Sequence, residues 1–182
     1  MPAWLKLANA ITLLRLILTP FVIQAIVGRR PAFAMALFIT AAVTDVLDGA
    51  AARRLRLSTP SGAYFDPVAD KCLLSGVFLA LAAGHFVPWW FVAIVFGRDI
   101  CILMGVGIFF FFTPIRSFPP SIWGKMSTFV QISTAVVWMA RNMLTFPLID
   151  ALATAMLWVS TTVTIWSGLD YARRGLQLAR TH

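Results

Sequence analysis

Four of the chain's seven acidic side chains, Asp45, Asp48, Asp66 and Asp70, fall within 26 residues of a sequence that is 60% hydrophobic. An aspartate near the middle of a lipid-spanning helix costs roughly 2.5 to 3.5 kcal/mol, so four unpaired ones would cost on the order of 10. Any fold of this chain must supply compensating charge. Asp45 and Asp48 are three residues apart and Asp66 and Asp70 are four apart, so on two helices each pair shares a face, about one turn apart. Two such faces meeting make a four-carboxylate cage. No His or Cys lies between residues 45 and 70. An all-oxygen donor set suits a hard cation, Mg2+ or Mn2+, and four carboxylates suffice for two ions.

Between the pairs, Gly49 and Gly62 remove bulk where backbone can approach a ligand, and Arg53, Arg54 and Arg56 are donors suited to phosphate. Carboxylates, divalent metal and arginine together point to phosphoryl chemistry. A buried salt-bridge network of Asp45 and Asp48 with Arg53 and Arg54 is the plainer reading, but it leaves Asp66, Asp70 and both glycines unexplained.

Only 12% of the residues are charged, too few for a soluble domain of 182 residues this apolar, so the expected class is an all-α integral membrane protein. The net charge of +8, from 15 Lys and Arg against seven Asp, then suits anionic lipid and not nucleic acid. Cys72 and Cys101 both lie in apolar runs and suggest neither a disulfide nor a metal-binding pair. The first apolar stretch contains Arg15 and lacks a small-residue cleavage site, so it reads as a retained helix and not a signal peptide.

Taken in order, the chain predicts a short N-terminal interfacial helix over residues 2–7, carrying Trp4 and Lys6, followed by six transmembrane helices. The spans are expected near 8–27, 32–54, 65–83, 89–112, 125–146 and 147–169, in a single domain covering 1–182. Asp170, Tyr171, Arg173, Arg174 and Arg180 are expected in a polar tail, and His85 in a turn. Asn9, Thr12 and Arg15 recur every three residues and put a polar stripe on the first span. With six spans both termini share a side. That side collects nine cations, including Arg53, Arg54, Arg56, Arg116 and Lys125, against Arg29, Arg30 and Arg141 opposite. The imbalance places the termini and the aspartates on the cytoplasmic side of the cell membrane.

Read in order, Asp45, Asp48, Gly49, Ala52, Arg53, Gly62, Asp66 and Asp70 resemble the signature of the CDP-alcohol phosphotransferase family of membrane enzymes, with all eight positions filled at the family's spacing. The resemblance implies transfer of a substituted phosphate from a CDP-linked donor to an alcohol, with release of CMP, by a homodimer. It implies that Asp45, Asp48 and Asp66 hold one or two Mg2+ ions, and that Asp70 is the general base and also touches the second metal. Asn9, Thr12, Gly49, Ala52, Arg53 and Gly62 then bound the nucleotide pocket. Spacing alone leaves open whether an aspartate attacks covalently or the acceptor attacks directly.

The run Phe65 to Lys71 resembles bacterial phosphatidyltransferases that use CDP-diacylglycerol, and Gly124, Lys125, Thr128 and Gln131 resemble a stretch in members that make phosphatidylglycerophosphate or cardiolipin. Glycerol-3-phosphate is the expected acceptor, with Arg98, Arg116 and Lys125 as candidates for its phosphate. Phosphatidylglycerol is the alternative, because Arg98 is followed by Asp99 where a glutamate is usual, and residues 106–112 lack the further arginine of glycerol-3-phosphate enzymes. A divalent-cation channel or transporter is the rival from another class, but it would spread its acids through the bilayer depth instead of gathering them beside arginines at one face.

Overall fold

The computed structural model describes residues 3–54, 62–112, 121–144 and 146–180, with side chains described for 14–44, 71–105, 121–144, 146–175 and 177. The described residues form six helices and no strand: α1 (Ala3–Val27), α2 (Pro31–Arg54), α3 (Gly62–Ala83), α4 (Trp89–Phe112), α5 (Ile122–Arg141) and α6 (Pro147–Arg180). Proline opens α2 and α6, where its missing N–H has no intrahelical partner to lose.

The α1–α2 and α3–α4 turns use one device. In the α1–α2 turn, Arg30 N–H donates to Ala25 O at 2.9 Å and Arg29 N–H to Ile26 O at 3.1 Å, with Arg29 left-handed at φ 54°. In the turn after α3, Phe86 N–H donates to Leu81 O at 2.8 Å and His85 N–H to Ala82 O at 3.0 Å, with His85 at φ 59°. Both are Schellman endings with a non-glycine residue in the left-handed position, so His85 is a turn residue, as its sequence context suggests.

Three boundaries differ most from the expected ones: the start of α1, the end of α6, and the end of α5, which stops at Arg141 and not near residue 146. Ala3–Val27 is one continuous helix, so no break separates the expected interfacial segment from the first span. Lys6, Leu7, Ala8 and Asn9 contain no Gly or Pro to make such a break. At the other end α6 runs on to Arg180, and the expected tail is helical. Asp170 and Arg174 pair across one turn at 2.9 Å, and the remainder of the segment is rich in residues that favour helix.

The helices form two compact units, α1–α3 and α4–α6. In the first, α1 packs against both α2 and α3. Its buried residues Arg15, Thr19, Val22 and Ile26 follow the four-three-four spacing of one helix face. A Cβ on Gly76 would come within 2.9 Å of Ile23 Cδ1 and 3.3 Å of Thr19 Cγ2, so glycine there is what lets α3 lie close against α1.

In the second unit α6 packs against both α4 and α5. Its inner stripe is Ala153, Leu157, Ser160, Thr164 and Ser167, all buried, while Leu148, Trp158, Ile165, Trp166 and Leu169 are exposed. α5 matches it, with Ser127, Gln131 and Thr134 buried and Ile122 and Phe129 exposed by 75% and 69%. Gln131 Nε2 donates to Thr164 Oγ1 at 3.0 Å and to Ser127 Oγ at 3.3 Å, and the two hydroxyls are 3.2 Å apart. Small hydroxylic residues inside and large apolar ones outside reverse the arrangement of a water-soluble bundle. Among the described residues, Pro147–Gly175 is a helix long and apolar enough to cross a membrane, and Leu14–Val27, Pro31–Thr44 and Lys71–Ala83 are shorter apolar stretches.

Candidate active site

The eight signature residues divide between two helices of the first unit. Asp45, Asp48, Gly49, Ala52 and Arg53 lie on the last three turns of α2, and Gly62, Asp66 and Asp70 on the first turns of α3. At ~1.5 Å per residue, Asp48 and Asp45 stand about 9 and 14 Å back from the end of α2, and Asp66 and Asp70 about 6 and 12 Å in from the start of α3. The two pairs therefore lie at matching distances from the 55–61 connection, on helices that both pack against α1. The side chains of these residues, like those of Asn9 and Thr12, lie outside the described set, as do Arg56 and the rest of the 55–61 connection. The fit to a divalent metal rests on donor chemistry: four carboxylates on two helices of one unit, and no nitrogen or sulfur donor between them. Among the described residues no other group of His, Cys, Asp or Glu is suited to a metal ion.

On α1, Arg15 from the polar stripe is 4% exposed. Thr19, also buried, donates its hydroxyl to Arg15 O at 2.8 Å, one residue before Pro20. A cation this deeply buried in the unit that carries four carboxylates adds positive charge on the helix packed against both of theirs.

The expected acceptor residues fall in the second unit. Arg98 on α4 has a side chain only 8% exposed, and its Nη1 donates to Asp99 Oδ1 at 2.7 Å. Nη2 donates to Ser167 Oγ on α6 at 2.7 Å, and the guanidinium lies over the Tyr171 ring, 5.9 Å from its centroid. Nε is buried without a hydrogen-bond partner. Gly124 on α5 abuts this group, since a Cβ there would be 3.3 Å from Arg98 Nη2. The structure thus brings Arg98 beside the Gly124–Lys125 stretch, with Lys125 exposed on the first turn of α5. Arg116 lies outside the described residues.

Three contributors escaped the sequence reading. Ser121 precedes α5, donates its hydroxyl to Asp170 and donates its backbone N–H to Tyr171 Oη at 3.3 Å. Ser167 and Tyr171 are four apart on the inner face of α6, and that spacing, continued back through Thr164 and Ser160, is the signal that marks them.

Two pairs of carboxylates near the joined ends of consecutive helices, with Arg53 and two glycines in the same stretch of sequence, are the residue types that metal-assisted phosphoryl transfer uses. The profile of the CDP-alcohol phosphatidyltransferases matches residues 5–166. A protein of Mycobacterium tuberculosis described as a probable phosphatidylglycerophosphate synthase is 33% identical over 182 residues, covering 94% of this chain and 82% of the relative. The CDP-diacylglycerol–glycerol-3-phosphate 3-phosphatidyltransferase of Bacillus subtilis is 31% identical, covering 80% and 74%. A CMP-forming cardiolipin synthase of Oryza sativa is 30% identical, covering 95% of this chain and 58% of its own. The chain belongs to the CDP-alcohol phosphatidyltransferase family. Its enzymes take a CDP-linked donor and an alcohol acceptor and use divalent metal.

Proposed function

We propose that this chain transfers the phosphatidyl group of CDP-diacylglycerol to glycerol-3-phosphate and releases CMP. The observation that carries the reading is the likeness to phosphatidylglycerophosphate synthases over nearly the whole chain, and it is supported by the eight signature residues lying on the last turns of α2 and the first turns of α3. The α1–α6 helices are read as six membrane spans in one catalytic domain, supported by the polar-inside, apolar-outside arrangement of α5 and α6. The protein works as a homodimer in the cell membrane, with termini and site on the cytoplasmic side, where the cation excess lies.

Asp45, Asp48, Asp66 and Asp70 are the residues to hold Mg2+ or Mn2+, as two ions. A bound divalent cation neutralises diphosphate charge and stabilises departing CMP. Asn9, Thr12, Gly49, Ala52, Arg53 and Gly62 bound the nucleotide, and Arg53 offers N–H donors to phosphate oxygens. Asp70 takes the proton of the acceptor hydroxyl as that oxygen bonds to the lipid-bearing phosphorus and the bond from this phosphorus to the CMP oxygen breaks. Arg98, Arg116 and Lys125 hold the acceptor's own phosphate, a dianion that needs at least two cationic partners.

Purified protein given CDP-diacylglycerol with glycerol-3-phosphate, phosphatidylglycerol, inositol phosphate or serine is expected to form phosphatidylglycerophosphate. Cardiolipin in its place would show that Asp99 and the arginine-free 106–112 stretch mark a phosphatidylglycerol acceptor. A channel would release no CMP in any of these mixtures.

A further inference from the structure

Arg98 is bound on its edge and on its face. Asp99 and Ser167 take its two terminal nitrogens, each at 2.7 Å, and the Tyr171 ring lies against the guanidinium. The Nε–H is left, buried and without a partner. A buried donor on a charged group calls for a partner, and an anion's oxygen is the strongest one such a group can take. Which way that donor points depends on the plane of the guanidinium.

Two neighbours set that plane. Tyr171 is itself fixed, because the Ser121 backbone N–H donates to its Oη at 3.3 Å. Ser121 is tied to α6 a second time through Asp170, which also accepts from Arg174 Nε at 2.9 Å. The N-terminus of α5 and the inner face of α6 thus hold the ring. On the remaining side is Gly124, where a Cβ would stand 3.3 Å from Arg98 Nη2, 3.3 Å from Tyr171 Cε2 and 3.4 Å from Tyr171 Oη. An added methyl would push the guanidinium or the ring by a few tenths of an ångström. Gly168 lies against the stem of Arg98, with a Cβ there 3.6 Å from Cγ, an ordinary contact that forces nothing.

We propose that Tyr171 and Gly124 are positioning residues for acceptor binding: together they hold the Arg98 guanidinium in the plane that offers its free Nε–H to the acceptor phosphate. The assignment rests on the reading of Arg98 as an acceptor-phosphate ligand given above. Neither residue touches the acceptor. Their effect is transmitted through Arg98 alone.

The test is steady-state kinetics of the purified full chain, with glycerol-3-phosphate and CDP-diacylglycerol varied separately. Small displacements of a binding group cost one to two orders of magnitude, so Tyr171→Leu and Gly124→Ala are expected to raise KM for glycerol-3-phosphate about tenfold and to leave that for CDP-diacylglycerol within about twofold. Tyr171→Phe keeps the ring and loses the hydroxyl that accepts from Ser121, so its rise is smaller, about threefold. It also serves should Tyr171→Leu fail to fold. In an Arg98→Ala background Gly124→Ala should add nothing, since its effect passes through the missing side chain. A full additional effect of Gly124→Ala in that background, or equal KM rises for both substrates, would overturn the positioning role while leaving Arg98 as a ligand. An unchanged KM for glycerol-3-phosphate in Arg98→Ala itself would remove the acceptor reading and the positioning role with it.

Discussion

Replacing Thr164 with Val takes one corner from the polar triangle that joins α5 to α6. Thr164 Oγ1 accepts from Gln131 Nε2 at 3.0 Å and lies 3.2 Å from Ser127 Oγ, and all three residues are buried. Two hydrogen bonds are lost, and at about 0.6 kcal/mol for an interhelical pair in a membrane the expected cost is about 1.2 kcal/mol. Gln131→Leu, of similar volume, removes the 3.0 Å bond and the 3.3 Å bond to Ser127 and leaves the two hydroxyls paired, again about 1.2 kcal/mol. The Gln131–Thr164 bond is common to both variants. The double variant should therefore cost less than the singles together, by about 0.6 kcal/mol. Equilibrium unfolding in mixed micelles, followed by circular dichroism, measures all four corners of this cycle. Strictly additive costs, or a Thr164→Val protein more stable than the parent, would show that the triangle is not coupled and that the α5–α6 interface is held by packing alone.

Gly76→Ala should lower stability by about 1 kcal/mol through the contact with Ile23 Cδ1, and Ile23→Val, which removes that atom, should recover most of the loss; a thermal melt of the purified variants reads both. Asp70→Asn should reduce kcat by about 10² to 10⁴, the usual worth of a general base, while CDP-diacylglycerol affinity measured by titration stays nearly intact. Lost donor binding would make Asp70 a metal ligand first. Lys125→Ala should weaken glycerol-3-phosphate binding by about 10-fold, the worth of one charge-assisted contact, with donor binding unchanged in the same titration.

The signature helices were readable because their information is local. Three- and four-residue spacings of aspartate, a proline at Pro31 and Pro147 and a glycine at Gly62 describe turns and faces, and the helix ends fall within a few residues of them. Hydropathy misplaced the end of α6 for a physical reason: it reports what lipid accepts, whereas helix formation past Asp170 needs only good helix formers and an Asp170–Arg174 pair. The same limit applies at the N-terminus, where Trp4 and Lys6 speak to the headgroup layer and not to any break in α1. The Arg98 cluster was out of reach. Ser167 is 69 residues from Arg98, and Ser121 is 49 from Asp170, so only packing of α6 against α4 and α5 brings them together. A polar residue every three or four positions on α6 was the trace of it in sequence, but such a stripe equally describes ordinary helix-to-helix contact.

CMP release by the purified protein, with CDP-diacylglycerol and glycerol-3-phosphate present, is the most direct measurement of whether the paired aspartates do the chemistry. Wild-type release should stop with EDTA and resume with Mg2+ or Mn2+, and Asp66→Asn should stay silent under both while matching the wild type in helix content and detergent-solubilised size. Full CMP release by Asp66→Asn in Mg2+, or wild-type release that EDTA does not touch, would contradict the account.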